Sequence, residues 1–175
     1  QRSLNTVAAR LCQQLTPQRC FDFLTNNLKM TTLVKSDGEG HTDIDLAPMA
    51  LGGLTNGVYA REMAAAYQIF GNGGYYNEPY TYEKVVVGGD DENSGEQILP
   101  LTPRASLQAL DTDSAYVMNR LLQHVITGKH YATGRSLASE WSGWEVFAKT
   151  GTTQENRDVY FVGGTSYYVG ASWVG

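Results

Sequence analysis

From Trp144 onward the chain switches from helical to strand periodicity, and that switch does most to limit the folds open to it. Trp144 to Thr152, Asp158 to Thr165 and Tyr168 to Val174 are three runs rich in β-branched and aromatic residues, separated by turn-forming residues. Their connections are too short for a parallel crossover, so the three strands are expected to run antiparallel. Upstream, the pattern is helical. Thr6 to Leu15 places Val7, Ala8, Leu11, Cys12 and Leu15 on one stripe, which predicts a core-facing helix. A helical part followed by an antiparallel sheet is an α+β arrangement.

The helical part divides at clear punctuation. Thr16-Pro17 supplies an N-cap and a first-position proline for a second helix in which Phe21, Leu24 and Leu28 recur at helical spacing. Ser36 to Thr42 is a run of small and polar residues and reads as a solvent loop. A third helix, from about Ala60 to Phe70, is closed by Gly71-Asn72-Gly73-Gly74. Tyr80 to Val87 and Gln97 to Leu99 are β-rich runs around a Gly/Asp/Asn-rich tip, Gly88 to Gly95, and predict a long-tipped hairpin arm near residues 80–99. A fourth helix opens near Thr112 or Asp113, ends at Gly128, and is expected to bury Met118, Leu121, Leu122 and Val125. With no internal repeat and no low-complexity segment, residues 1–175 read as one domain, mainly helical over 1–143 and stranded over 144–175.

Composition excludes several classes of function. A hydrophobic share of 42% supports a packed core, and a formal net charge of -5 without a Lys/Arg run argues against a nucleic-acid partner. No stretch approaches the apolar length of a membrane span, and the first thirty residues lack a secretory pattern. Cys12 and Cys20 are too few for a disulfide framework. They can meet across a helix-turn-helix, but free buried thiols are the reading we prefer. His41, His124 and His130 lack metal-ligand spacing, and no phosphate-loop glycine pattern is present, so no metal and no cofactor are expected. Glu62 fits the N-terminal end of the third helix better than general-base work.

Two polar motifs remain, Ser3-Leu4-Asn5 and Lys149-Thr150-Gly151-Thr152-Thr153. Taken alone, Ser3 and Asn5 suit helix capping equally well, and Lys149 suits a solvated edge strand. Period two places Phe147, Lys149 and Gly151 on one side of the strand and Ala148, Thr150 and Thr152 on the other. That sets a positive charge beside a position without a side chain, an arrangement suited to an extended peptide laid along the strand.

The motifs belong to an ordered series covering nearly the whole chain. Ser3-Leu4-Asn5-Thr6-Val7-Ala8-Ala9-Arg10-Leu11, then Leu51-Gly52-Gly53, Gly57-Val58 and Glu62-Met63-Ala64-Ala65-Ala66-Tyr67 with Phe70-Gly71-Asn72-Gly73-Gly74, resemble segments of class A penicillin-binding protein transpeptidase domains. So do Val146-Phe147-Ala148-Lys149-Thr150-Gly151-Thr152-Thr153-Gln154, Asn156-Arg157-Asp158 and Phe161-Val162-Gly163-Gly164-Thr165. Two departures stand out. Tyr59 occupies the place where the family starts its central helix with a small hydroxyl residue, and no serine in the chain has a lysine three residues on, so the Ser-x-x-Lys nucleophile motif is missing.

The resemblance implies a β-lactamase/transpeptidase-like fold, with three of five sheet strands present and the last strand pairing on its far side with an N-terminal strand not in these residues. It implies a serine D-alanyl-D-alanine transpeptidase that cross-links peptidoglycan stem peptides through an acyl-enzyme and binds β-lactams. Ser3 would lie on the proton path to the leaving amine, and Asn5 would bond the donor side-chain amide. Lys149, Thr150 and Thr152 would hold the substrate carboxylate beside Gly151 and Thr153, and the Thr152 N–H would form half of an oxyanion hole. This chain alone is then expected to be inactive, to need the N-terminal part of the same domain as its partner, and to act outside the cytoplasmic membrane through an anchor that it does not itself contain. A silent peptide-binding or scaffold module of the same fold, or less readily a β-lactamase, is the alternative.

Overall fold

The computed structural model describes residues 1–88, 97–99, 103–153 and 158–175. Helix α1 (Asn5–Leu15) and helix α2 (Pro17–Asp22) are separated by Thr16, at φ 76°, whose hydroxyl accepts from the Arg19 N–H at 3.4 Å while Pro17 opens α2. The turn falls where Thr16-Pro17 predicts it. A π-helical stretch (Phe23–Asn27) continues α2, so the second helix does not keep one geometry through to Leu28. Helix α3 (Leu46–Leu51), short and containing Pro48, is not among the elements predicted from the sequence; Asp45 caps its start and Gly52, at φ 83°, ends it.

Helix α4 (Ala60–Tyr67) runs on into a 3-10 turn (Gln68–Phe70) and stops at the predicted glycines. Tyr59 is its N-cap residue and offers no side-chain cap. Glu62, in the first turn, is buried rather than a solvated dipole partner: its carboxylate accepts from the Thr31 hydroxyl at 2.6 Å. Strands β1 (Tyr75–Asn77) and β4 (Ser106–Gln108) form an unpredicted antiparallel pair, and β2 (Val85–Val87) pairs with β3 (Gln97–Leu99) as the base of the hairpin arm. The first run of that arm is strand only from Val85, and most of the predicted tip lies outside the described residues. Helix α5 (Thr112–Thr127) is capped by Asp111, whose carboxylate accepts from the Ser114 N–H at 2.8 Å.

The C-terminal runs form one antiparallel sheet in the order β5–β6–β7, from β5 (Phe147–Thr152), β6 (Val159–Gly164) and β7 (Val169–Val174). Period two holds. Phe147, Lys149 and Gly151 sit opposite Gly164, Val162 and Tyr160, while Ala148, Thr150 and Thr152 sit opposite Gly163, Phe161 and Val159. On the second face Ile126 of α5 packs with Val146 and Ala148, and Trp141 and Phe161 join them. On the first, Tyr160 donates its hydroxyl to the Val58 carbonyl at 2.8 Å, tying the sheet to the segment before α4. A second core gathers Leu28, Met30, Ala65, Ala66, Ile69 and Tyr76. Together these layers give the expected α+β fold.

Two helix faces depart from expectation. On α1 only Cys12 is buried; Val7, Leu11 and Leu15 are 52%, 55% and 55% exposed. On α5 the buried residues are Ala115, Leu122, Val125 and Ile126, whereas Met118 and Leu121 face outward. Periodicity identifies an apolar face, but nothing in it guarantees an element to cover that face. An apolar cleft of about 810 Å³ opens beside them, lined among others by Gly57, Val58, Met63, Met118 and Tyr160, and it reaches Gly151 and Thr152.

Candidate active site

Ser3 and Lys149 come from opposite ends of the chain and meet. The Lys149 ammonium donates to the Ser3 hydroxyl oxygen at 2.7 Å across a separation of 146 residues, and also to the Thr150 carbonyl at 2.6 Å. Ser3 reaches this position with φ at 52°, a left-handed backbone that turns the chain sharply into α1. The capping alternative fails. Leu4 is the N-cap of α1, no side chain caps the helix, and Asn5 is already inside it and exposed. Asn5 thus stands within two residues of Ser3 with its amide available to solvent.

The segment between α5 and the sheet holds this junction in place. Arg2 lies over the Tyr131 ring at 4.4 Å, and the Gln1 amide donates to the His130 carbonyl. Two residues on, Thr133 accepts a hydrogen bond from the Thr150 hydroxyl at 2.7 Å. Gly134 makes that approach possible, because a Cβ there would sit 2.7 Å from Ile126 Cδ1 and 3.2 Å from the Val125 carbonyl. The Gly134 N–H in turn donates to the Val125 carbonyl at 2.9 Å, docking the segment onto α5. Thr133 belongs to no motif that sequence reasoning picked out. Its one local signal is the Thr133-Gly134 pair in the connection between α5 and β5.

Lys149 is half-buried, and burial lowers its pKa below the ordinary lysine value. Both of its hydrogen-bond acceptors are neutral oxygens, and among the described residues no carboxylate forms an ion pair with it. A desolvated ammonium with neutral partners is a binding point for an anion. The remaining motif residues divide. Thr152 is exposed at the end of β5, and Thr150 is half-buried with its hydroxyl on Thr133. Gly151 is less open than the sequence suggests, since a Cβ there would meet Tyr160 Cβ at 3.3 Å. Thr153 is drawn into the β5–β6 connection: its hydroxyl accepts from the Asp158 N–H at 2.8 Å. Asp158 is fixed further by the Trp173 indole N–H at 2.8 Å; its matched neighbours Asn156 and Arg157, and Gln154, lie outside the described residues.

Asp37, Glu39 and His41 also come together, with ligand-type atoms within 4.8 Å, although the sequence showed no metal spacing around His41. All three are exposed. The grouping is a polar turn, in which the Asp37 carboxylate accepts from the Glu39 N–H at 2.8 Å, from the His41 N–H at 3.1 Å and from the His41 ring.

The profile of the penicillin-binding protein transpeptidase domain matches residues 1–174. The chain belongs to the penicillin-binding protein transpeptidase family. Among relatives of this family, penicillin-binding protein 1A of Clostridium acetobutylicum is 34% identical over 130 residues, which are 74% of this chain and 15% of that protein. Among solved structures, penicillin-binding protein 1A from Haemophilus influenzae superposes with a TM-score of 0.73 at 19% identity, covering 99% of this chain and 28% of that one. The imipenem acyl-enzyme complex of penicillin-binding protein A from Mycobacterium tuberculosis superposes with a TM-score of 0.62 at 14% identity, covering 99% and 40%. The chain therefore spans a minor part of the length of these transpeptidase-family proteins, and the structural matches fix its fold. No described helix is long and apolar enough to cross a membrane.

Proposed function

We propose that this chain carries the Ser-x-Asn and Lys-Thr-Gly parts of the acyl-transfer site of a serine D-alanyl-D-alanine transpeptidase, which cross-links peptidoglycan stem peptides and is acylated by β-lactams. The observation that carries the reading is the Lys149–Ser3 hydrogen bond, which joins two motifs from opposite ends of the chain into one polar site. Acyl transfer from such a donor needs a group to return a proton to the leaving amine and a cation to hold the substrate carboxylate. Because the Lys149 ammonium donates to the Ser3 oxygen, the Ser3 proton is left to point elsewhere, toward the leaving nitrogen. Lys149, aided by the Thr150 and Thr152 hydroxyls, holds the carboxylate, and Asn5 bonds the donor amide. Thr133 keeps Thr150 oriented. The Thr152 N–H serves as one oxyanion donor.

The acylating serine, its Ser-x-x-Lys lysine and the second oxyanion N–H belong to a segment outside these 175 residues, which is the partner that completes the domain. The site of action is the extracytoplasmic face of the cell membrane. Intact mass spectrometry tests the first part: this chain, incubated with a labelled penicillin, gains no penicilloyl mass, and a stoichiometric adduct on a serine would refute the reading. In the domain completed with its Ser-x-x-Lys segment, Lys149→Ala slows acylation by about 2 to 4 kcal/mol of transition-state stabilisation, whereas Lys84→Ala leaves it unchanged. Equal rates for the two variants would return Lys149 to an ordinary edge-strand lysine, and an unacylated completed domain that still binds stem peptide would favour the scaffold alternative.

A further inference from the structure

Outside the candidate site, Cys12 on α1 and Cys20 on α2 bring two reactive side chains together. Both thiols are free, and their sulfurs lie 3.9 Å apart. The pairing follows from the turn between the helices, where Thr16 in a positive-φ conformation and Pro17 at the first position of α2 fold the second helix back beside the first. Cys12 is the one buried residue of α1, and Cys20 is half-buried. A disulfide needs the sulfurs at about 2.05 Å. Rotation about the Cα–Cβ bonds is the motion that would close the remaining gap of under about 2 Å.

We propose that Cys12 and Cys20 form an oxidation site, closing to an intrachain disulfide that staples α1 to α2. The oxidant is a small or protein disulfide acting by exchange. The more accessible Cys20 thiolate attacks one sulfur of that disulfide, forming a mixed disulfide and releasing the first thiolate, which takes up the Cys20 proton. Cys12 then loses its proton and attacks Cys20 Sγ, forming the Cys12–Cys20 bond and releasing the second oxidant thiol. Two electrons and two protons pass to the oxidant. Burial raises the Cys12 pKa, in keeping with Cys20 attacking first. The staple matters because α1 opens with Asn5, two residues after Ser3, yet its Val7–Leu11–Leu15 face stays about half exposed, at 52% to 55%.

The chain's own sequence provides a direct test, since trypsin cleaves after Arg10, Arg19 and Lys29 and so separates the two cysteines. After native incubation with oxidised glutathione and blocking of free thiols, the peptides Leu11–Arg19 and Cys20–Lys29 are expected to appear joined, with a mass lower by two hydrogens than the sum of the reduced pair. The joined form should exceed mixed glutathione adducts by about 100-fold, because the second thiol is already in place. Cys20→Ser should abolish the joined peptides and leave Cys12 slow to label. Amides of the C-terminal half of α1 should exchange about 10-fold more slowly in the oxidised chain. Separate glutathione adducts on the two cysteines, or cross-links between chains in place of the internal one, would overturn the proposal.

Discussion

Replacing Asp43 by alanine should loosen the rim of the cleft that runs to Gly151 and Thr152. Asp43 is fully buried, with an exposure of 0%. One carboxylate oxygen accepts the Val34 N–H at 2.8 Å; the other accepts the Thr55 N–H and the Thr55 hydroxyl, both at 2.8 Å. The carboxylate thereby ties the 31–34 segment to the loop that leads through Gly57 to Val58, where the Tyr160 hydroxyl is bound. Alanine leaves the Val34 and Thr55 N–H groups without their acceptor at a part-buried site. At about 1 to 3 kcal/mol for each of the two stranded donors, the loss is about 2 to 6 kcal/mol. Thr55→Val removes only the hydroxyl contact and should cost about 1 kcal/mol. Urea unfolding at low protein concentration, followed by tryptophan fluorescence, reads both changes as shifts of the midpoint at constant slope. An Asp43→Ala loss below about 1 kcal/mol would mean that water or a shifted loop satisfies those donors, and the reasoning would fail.

Three further outcomes follow from other parts of the fold. Gly163→Ala puts a Cβ 2.5 Å from the Phe147 carbonyl oxygen and 2.8 Å from Ala148 Cβ in the middle strand, and should destabilise the chain by about 3 kcal/mol in the same unfolding assay. Burial pushes the Tyr67 hydroxyl up to about 12; because the folded value lies above the unfolded one, its stability contribution is complete below pH 10 and declines as the pH rises toward 12, a slope that Tyr67→Phe should remove from melting curves taken across that window. Strand β7 pairs only with β6 among the described residues and carries no charge or proline, so sedimentation of this chain at micromolar concentration should show edge-to-edge association, and a clean monomer would contradict that.

How legible each part was depended on whether its signal was local. The β5–β6–β7 order, the α5 span and the Thr16-Pro17 turn could be read because strand alternation, helical apolar spacing closed by Gly128 and a fixed-φ proline act within a few residues. The β1–β4 pair could not: each strand has three residues, too few for alternation to rise above chance, and their partners lie in distant sequence. Helix faces were half legible. Val7, Leu11 and Leu15 do form a stripe, but what stands across from a stripe is a tertiary fact, and among the described residues this one stays half exposed. In the site, the spacing of Lys149, Thr150 and Gly151 predicted their division between strand faces correctly. Thr133 escaped because a lone threonine gains meaning only from the Thr150 hydroxyl beside it, and Glu62 reads as a helix-dipole residue because its partner, the Thr31 hydroxyl, lies in a distant segment.

The electrostatics of Lys149 explain why so much structure is spent on a single amine. An exposed lysine would keep its hydration shell and attract an anion weakly, while a lysine already paired with a carboxylate would have nothing left to offer. Here the ammonium is half-buried and donates, among the described residues, to a hydroxyl and a carbonyl, so part of its hydration is lost with no described carboxylate to compensate. That cost is met by folding, and under the proposed role of Lys149 an arriving substrate carboxylate would recover it. The arrangement survives only if the amine cannot swing back into water. Ser3 locked by its left-handed turn, Arg2 on Tyr131, and Gly134 pressed against α5 are what prevent it, each fixing a different side of the same small volume. The two ends of the chain are therefore joined by the packing of the 128–134 segment as well as by the hydrogen bond itself.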